Sequence, residues 1–360
     1  MHQAASSHRR SRLFALVLIV AGCGHSDSFQ TPAQSNLDVP LSSTPPARLT
    51  FDGGMDRFPA FTPDRQTIWY SFQSPDRADG DRCLASLPAT GGTRTEYCPP
   101  TVASEQRRDA FDHASPGPDG QLIYGRYDSP IGALLVSAGS IELASVTAPL
   151  QGRQLLSLPN SVGGVGFNHV GRIRWLANDR VILVAEDQTA VPHCRGCVKR
   201  DTVNLGGGLL DGRITANGAT FTLIPGTLNA NDFASSVAGD SLYFTQSDDL
   251  LAPTGRDRAL YRVPITGGSP QVVYADSGTP LSSVARIGVR LAVAAGNSII
   301  SLDLASGNST TLASGATNGY GLVSASADGC RLLAEFRRPK ELTFTTDLYL
   351  LLTGGTGCAP

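Results

Sequence analysis

The segment Val191-Pro192-His193-Cys194-Arg195-Gly196-Cys197-Val198 gathers two thiols and an imidazole in one short stretch. A C-x-x-C pair can be a redox dithiol, half of a zinc site or a small loop disulfide. Haem attachment of the c type needs His after the second Cys, where Val198 stands. A zinc site on His193, Cys194 and Cys197 lacks a fourth ligand, and beyond residue 22 the only other histidines are His25, His113 and His169. The string lies in a turn-rich insertion, not at the start of a helix, which favours a structural disulfide over the metal and redox readings. Asp76-Arg77-Ala78-Asp79-Gly80-Asp81 clusters carboxylates, but its spacing is not that of an EF-hand, and solvated loop charge accounts for it. Neither a G-x-S-x-G elbow nor H-E-x-x-H occurs. No catalytic residue, metal or other cofactor is assigned.

The elements around these residues are short strands. Six times a turn of Pro, Asp, Gly or Asn leads into an apolar run, as in Thr62-Pro63-Asp64-Arg65-Gln66-Thr67-Ile68-Trp69-Tyr70. Gly117-Pro118-Asp119-Gly120 before Leu122-Ile123-Tyr124, and Ala327-Asp328-Gly329 before Leu332-Leu333, repeat the pattern. Ile68, Ile123, Ile182, Leu242, Leu291 and Leu332 mark equivalent positions in units of roughly 40–60 residues. Strand, strand, Gly-Gly turn, strand is a meander. It is read at Cys83–Leu87, Gly91-Gly92 and Thr93–Cys98, and again at Ala259–Val263, Gly267-Gly268 and Gln271–Tyr274.

Pro63-Asp64-Arg65 and Pro118-Asp119-Gly120, each leading into a strand, resemble the turns of TolB-type repeats, also called PD40 or WD40-like repeats. The resemblance implies an all-β fold, a six-bladed β-propeller of four-stranded antiparallel blades over residues 47–360. Arranging the meanders radially buries faces that one meander cannot bury alone. The last unit stops after Asp347–Thr353 without a fourth strand, and Ala47–Phe51 is expected to supply it and close the ring. Propellers bind at a mouth of the central channel. The polar residues just upstream of the repeat turns are therefore the binding candidates: Asp56, Arg57, Asp112, His113, His169, Arg172, Asn231, Asp232, Asn318 and Tyr320. Both charge signs are present, which suits a peptide or protein partner. The same side chains could instead bond blade to blade.

The N-terminus reads as an export signal over residues 1–22. Arg9, Arg10 and Arg12 precede the apolar run Leu13–Val20, too short for a bilayer core of roughly 30 Å. Val20-Ala21-Gly22-Cys23 resembles the lipobox of bacterial lipoproteins, which implies lipidation of Cys23. Setting Cys23 aside leaves six of the seven cysteines, an even number as an oxidising compartment favours. Six allow fifteen connectivities. Pairing neighbours (Cys83 with Cys98, Cys194 with Cys197, Cys330 with Cys358) closes short loops within single repeats.

Residues 23–46, lipidated Cys and Pro/Ser/Thr-rich tether, cannot bury a core. Cleavage removes Arg9, Arg10 and Arg12 and takes the formal charge from −2 to about −5, with no basic block for nucleic acid. The expectation is an envelope lipoprotein, on the outer membrane because Gly24 and not Asp follows Cys23, facing periplasm or cell surface. Its propeller would act as a non-catalytic protein-binding or scaffolding module for an envelope protein or a peptidoglycan-associated partner. The alternative is a propeller enzyme, a lyase or hydrolase, with a dispersed site at the channel mouth.

Overall fold

Short runs of β-branched and aromatic residues separated by tight turns pair with their neighbours in sequence, and the whole molecule follows from that local rule. The structure is a computed structural model that describes residues 47–50, 54–73, 82–99, 107–130, 138–192, 200–248, 253–315, 319–339, 344–354 and 358. Residues 1–46 with Cys23, the Asp76–Asp81 loop, His193, Cys194, Cys197 and Asn318 lie outside the described residues.

The chain begins with β1 (Ala47–Arg48), β2 (Met55–Phe61), β3 (Thr67–Gln73), β4 (Cys83–Pro88) and β5 (Thr95–Tyr97). Next come β6 (Arg107–Pro116), β7 (Gln121–Pro130), β8 (Ala138–Ser145) and β9 (Ala148–Leu158), then a small ribbon of β10 (Asn160–Val162) and β11 (Val165–Phe167). A further set is β12 (His169–Ala177), β13 (Arg180–Pro192), β14 (Arg200–Thr215) and β15 (Gly218–Leu223). It is followed by β16 (Ala230–Ser235), β17 (Ser241–Gln246), β18 (Ala259–Pro264) and β19 (Gln271–Ala275). The last strands are β20 (Leu281–Ile287), β21 (Arg290–Ala295), β22 (Ser298–Asp303), β23 (Ser309–Ser314), β24 (Tyr320–Ala325), β25 (Arg331–Pro339) and β26 (Phe344–Leu352).

Among the described residues these strands make four antiparallel four-stranded meanders, β6–β9, β12–β15, β16–β19 and β20–β23. One eight-stranded sheet runs β24-β25-β26-β2-β3-β4-β5, with β1 added on β26. The β26–β2 contact is a single parallel pair, Met55 with Thr346. The first strands form a closed ring in which β2 packs on β6, β6 on β12, β12 on β16, β16 on β20, β20 on β24, and β24 on β2.

The core is divided among the seams between consecutive meanders. On β13, Val181, Leu183 and Ala185 pack with Ile123 and Ile141, whereas Ile182 and Val184 pack with Phe233 and Phe244. Alternate side chains of one strand thus feed opposite seams, the period of two that a pleated strand imposes. This explains why β3 and β17 are buried almost without interruption. Leu333, Leu348 and Leu350 pack with Tyr70 and Ala85, so the seam between chain end and chain start is filled like the others.

The repeat turns join each first strand to its second. Thr62, Ser236 and Ser326 each accept, through the side-chain oxygen, the N–H of the residue five positions on: Thr67 (3.0 Å), Ser241 (3.2 Å) and Arg331 (3.0 Å). The expected closing strand is present as β1, with Ala47 opposite Leu350 and Arg48 opposite Tyr349. Leu49 N–H adds a bond to Leu348 O (2.7 Å). Cys83–Cys98 and Cys330–Cys358 are disulfides.

Candidate functional site along the central channel

Every first strand slips register at the same depth. The shifts fall between Arg57 and Ala60, Asp112 and Ser115, Val170 and Ile173, Ala230 and Asp232, Leu281 and Ser283, and Tyr320 and Val323. A bulge re-aims side chains that regular pleating would hold in a seam. Phe58 and His113, within two of these bulges, adopt left-handed backbone conformations (φ 58° and 55°) that non-glycine residues seldom enter. Their rings lie 3.7 Å apart, centroid to centroid.

The densest titratable group surrounds His169. Its Nδ1 lies 3.1 Å from Glu186 Oε2 and its Nε2 3.6 Å from Asp112 Oδ2. The Tyr127 ring stacks on it at 4.4 Å, held by Val170 N–H donating to the Tyr127 hydroxyl oxygen (2.9 Å). Arg82 reaches Asp112 with two nitrogens, Nε donating to Oδ1 at 2.6 Å.

Burial disfavours charge on Asp112, but Arg82 and His169 outweigh it and hold the carboxyl well below its usual range. Burial likewise opposes protonation of His169, and hydrogen bonds to Asp112 and Glu186 overcome it, raising its pKa. His113 goes the other way: burial lowers its pKa well below the ordinary value, and its Nδ1 has no hydrogen-bond partner. Two imidazoles with centroids 6.4 Å apart therefore favour opposite protonation states.

Deeper in the channel, Arg172 ties several first strands together. It donates from Nε to Asp232 Oδ1 (3.2 Å) and from Nη2 to Asp232 Oδ2 (3.3 Å) on β16. Nη2 also donates to Val323 O (3.0 Å) on β24, and Nη1 to Pro59 O (3.5 Å) on β2. Asp232 accepts further from the Ser283 hydroxyl and from Val284 N–H (3.3 Å) on β20. Arg172 is 5% exposed and Asp232 fully buried, so this ion pair spans the channel instead of lining an open bore.

The sequence placed its candidates in loops at a mouth; those described lie on the first strands themselves and are mostly interior. Asp56 is fully buried in the β2–β26 seam, not at a mouth. Arg57 stacks over Phe58 (4.4 Å) and sits 3.8 Å from Glu335. Asn231 donates to Ser282 O (2.6 Å), and Tyr320 packs edge-on against Phe336 in the core. Asp112, His113, His169, Arg172 and Asp232 do converge on the channel.

Sequence reasoning missed Arg82, Tyr127, Glu186, Ser283 and Glu335. Glu186 and Glu335 each end a run of apolar strand residues, Val181–Ala185 and Leu332–Ala334, and that abrupt carboxylate was the available signal. Among the described residues, no group of three or more His, Cys, Asp or Glu side chains is placed to hold a metal ion.

Antiparallel four-stranded meanders set radially about a channel are one known solution to burying both sheet faces. The fold is a β-propeller. No family model matches the chain, and no curated protein does. Among solved structures the propeller is similar to a gluconolactonase of Xanthomonas campestris, at 12% identity over 85% of this chain and 88% of that one, with a TM-score of 0.55. It is also similar to the calcium-binding protein regucalcin of Agrobacterium tumefaciens, at 13% identity over 87% and 92%, TM-score 0.52. The β-propeller domain of the Trilobed protease of Pyrococcus furiosus aligns over 84% of this chain and 96% of that one at 10% identity, TM-score 0.45. At 12% and 13% identity the first two likenesses speak for fold, not chemistry.

Proposed function

We propose that the chain is a six-bladed, TolB-like propeller lipoprotein that serves as a non-catalytic protein-binding or scaffolding module. The count of six rests on dividing the eight-stranded sheet at its lone parallel pair, Met55 with Thr346. An equivalent parallel bridge, Arg82 with Ala110, links the next two meanders without merging them. Lipidation at Cys23 and a tether over residues 24–46 would hold the ring at a bacterial envelope, on the outer membrane facing periplasm or cell surface. Its partner would be an envelope protein or a peptidoglycan-associated one.

The observation that carries the binding reading is Arg172. The polar channel side chain best placed for chemistry is spent on Asp232, Val323 O and Pro59 O, which locks the first strands to one another. A ring whose first strands are tied together in this way is suited to presenting its mouths as a platform. Cross-linking in the native envelope, followed by identification of the attached species, tests it. A recurrent envelope partner supports the platform; an anchored protein that captures none sinks it.

A propeller enzyme is the second reading, and one feature favours it. His113 and His169 are pushed to opposite protonation states, and His113 and the adjacent Phe58 are both strained bulge residues, as groups in active sites often are. Turnover of a lactone or glycoside abolished by either His113→Ala or His169→Ala, in protein that still melts cooperatively, would establish it.

A further inference from the structure

The channel has a second end, on the side of the repeat turns, that none of the candidate residues was chosen to describe. There a cavity of about 390 Å³ opens below Arg172, with Arg174, Trp175, Arg286, Ser115 and Ser324 among the residues that line it. Its lining contains no Asp and no Glu. The one carboxylate behind it, Asp232, is already bonded to two nitrogens of Arg172 and lies 3.9 Å from Arg174. Two guanidinium groups thus share one buried carboxylate, and Arg286 brings a third to the same cavity.

The two outer arginines have unspent capacity. Arg174 donates from Nη2 to Val284 O (2.9 Å), but its Nε is buried without a hydrogen-bond partner. Arg286 donates only to Gly288 O at 3.4 Å and has no carboxylate partner among the described residues. The cost of this arrangement falls on Arg174: burial, then the like charge of Arg172, with Arg286 adding to it, lowers its pKa to about 10. An anion supplied from outside would offset that repulsion.

The wall opposite is fixed and apolar. Trp175 donates from Nε1 to Ser115 O (3.0 Å), and its ring lies so close to Gly117 that a Cβ there would come within 2.3 Å of it. Thr62, Pro63, Pro116 and Pro118 line this cavity and also an adjoining one of about 470 Å³ that continues past Trp69 and Tyr97. A ligand held by a charged end therefore has room for a tail.

We propose that the turn-side cavity binds a small organic oxyanion, a carboxylate or a phosphate monoester, with its oxygens on Arg174 and Arg286 and its organic part against Trp175. Planar guanidinium groups match both oxyanions through paired N–H donors. The site is separate from the His113–His169 end, since Arg172 and Asp232 lie between.

The test is a titration of the purified full-length protein with inorganic phosphate and, separately, with benzoate, followed by tryptophan fluorescence in a Trp69→Phe background so that Trp175 alone reports. A saturable change with at least one probe is expected, weakened tenfold or more in Arg286→Gln and reduced as salt shortens the Debye length below about 8 Å. Response to phosphate alone assigns a phosphate monoester, and response to benzoate alone a carboxylate. No saturable response to either, or an unchanged affinity in Arg286→Gln with an unchanged melting temperature, overturns the proposal. Arg286→Gln keeps the test readable because that side chain makes only one weak bond, whereas Arg174→Gln also loosens Val284.

Discussion

Two buried charges in the channel region show how environment decides the role of a side chain. Arg172 and Asp232 are matched, so removing one leaves the other buried and uncompensated. Arg172→Leu should cost about 3–5 kcal/mol, read as a lower urea midpoint. Arg172→Lys should not restore it, because one ammonium cannot serve Asp232, Val323 O and Pro59 O together. A midpoint within error of the parent would remove Arg172 as the link between blades. Asp56 is the opposite case. Burial raises its carboxyl from 3.8 to about 8; the Thr50 hydroxyl pulls it back and Asp347 pushes it further up. A carboxyl with a folded pKa above its unfolded value binds its proton more tightly when folded. Its contribution is therefore full below about 4 and is lost as the pH rises toward 8. Asp56→Asn should gain stability relative to the parent across that window, on the order of 1 kcal/mol per pH unit. Parallel stability profiles for the two proteins from pH 5 to 8 would contradict it.

At the scale of elements, the bulge and the closing strand matter most. The bulges turn Asp112, His113, Arg172 and Asp232 toward the channel from strands whose other residues fill seams. The closing strand is only two residues long, yet its neighbourhood is well bonded. Ala47 and Arg48 pair with Leu350 and Tyr349, Arg48 reaches Asp347 (3.0 Å), and Leu348 N–H donates to Thr50 Oγ1 (2.9 Å). Deleting residues 47–51 exposes the edge of β26 and should lower the melting temperature by many degrees; an unchanged value would reject closure by this strand. Cys330–Cys358 lies beside the same junction, with Thr353 N–H donating to Cys330 O (3.0 Å). Replacing both cysteines by serine should cost about 3 kcal/mol for a loop of 28 residues, measured by denaturant unfolding under non-reducing conditions.

For the molecule as a whole, closure packs the last meander against the first. The seam of Leu333 and Leu348 with Tyr70 and Ala85 joins the first meander to the last strands, far apart in sequence. Such contacts form only after a large loop-closure cost, so the first and last blades should lose hydrogen-exchange protection before the rest. Equal protection in all blades would argue against a weak junction. The proposed envelope anchoring is tested separately, on the intact molecule. Cys23→Ala should release the protein into the soluble fraction, and persistent membrane association would refute lipid attachment at that residue.

Residues 47 onward declared their architecture because propeller meanders are local: Ile68, Ile123, Leu242 and Leu332 recur behind turns that a reader can align. The fourth strand missing after Asp347–Thr353 was equally legible, as were two cysteine pairs close in sequence. Arg172 and Asp232 could be singled out as polar residues ahead of a turn, but not that they bond each other. Arg82 with Asp112, Glu186 with His169, and Glu335 with Phe58 N–H could not be foreseen. Nor could the guanidinium cluster of Arg174 and Arg286. A strand's period of two says which residues leave the pleat together; which residue of another blade each meets depends on the ring closing and on bulges that shift register. Sequence alone therefore determined the blades and their order. Tertiary structure decided that the channel is crossed by an ion pair and that arginines gather at its turn-side mouth.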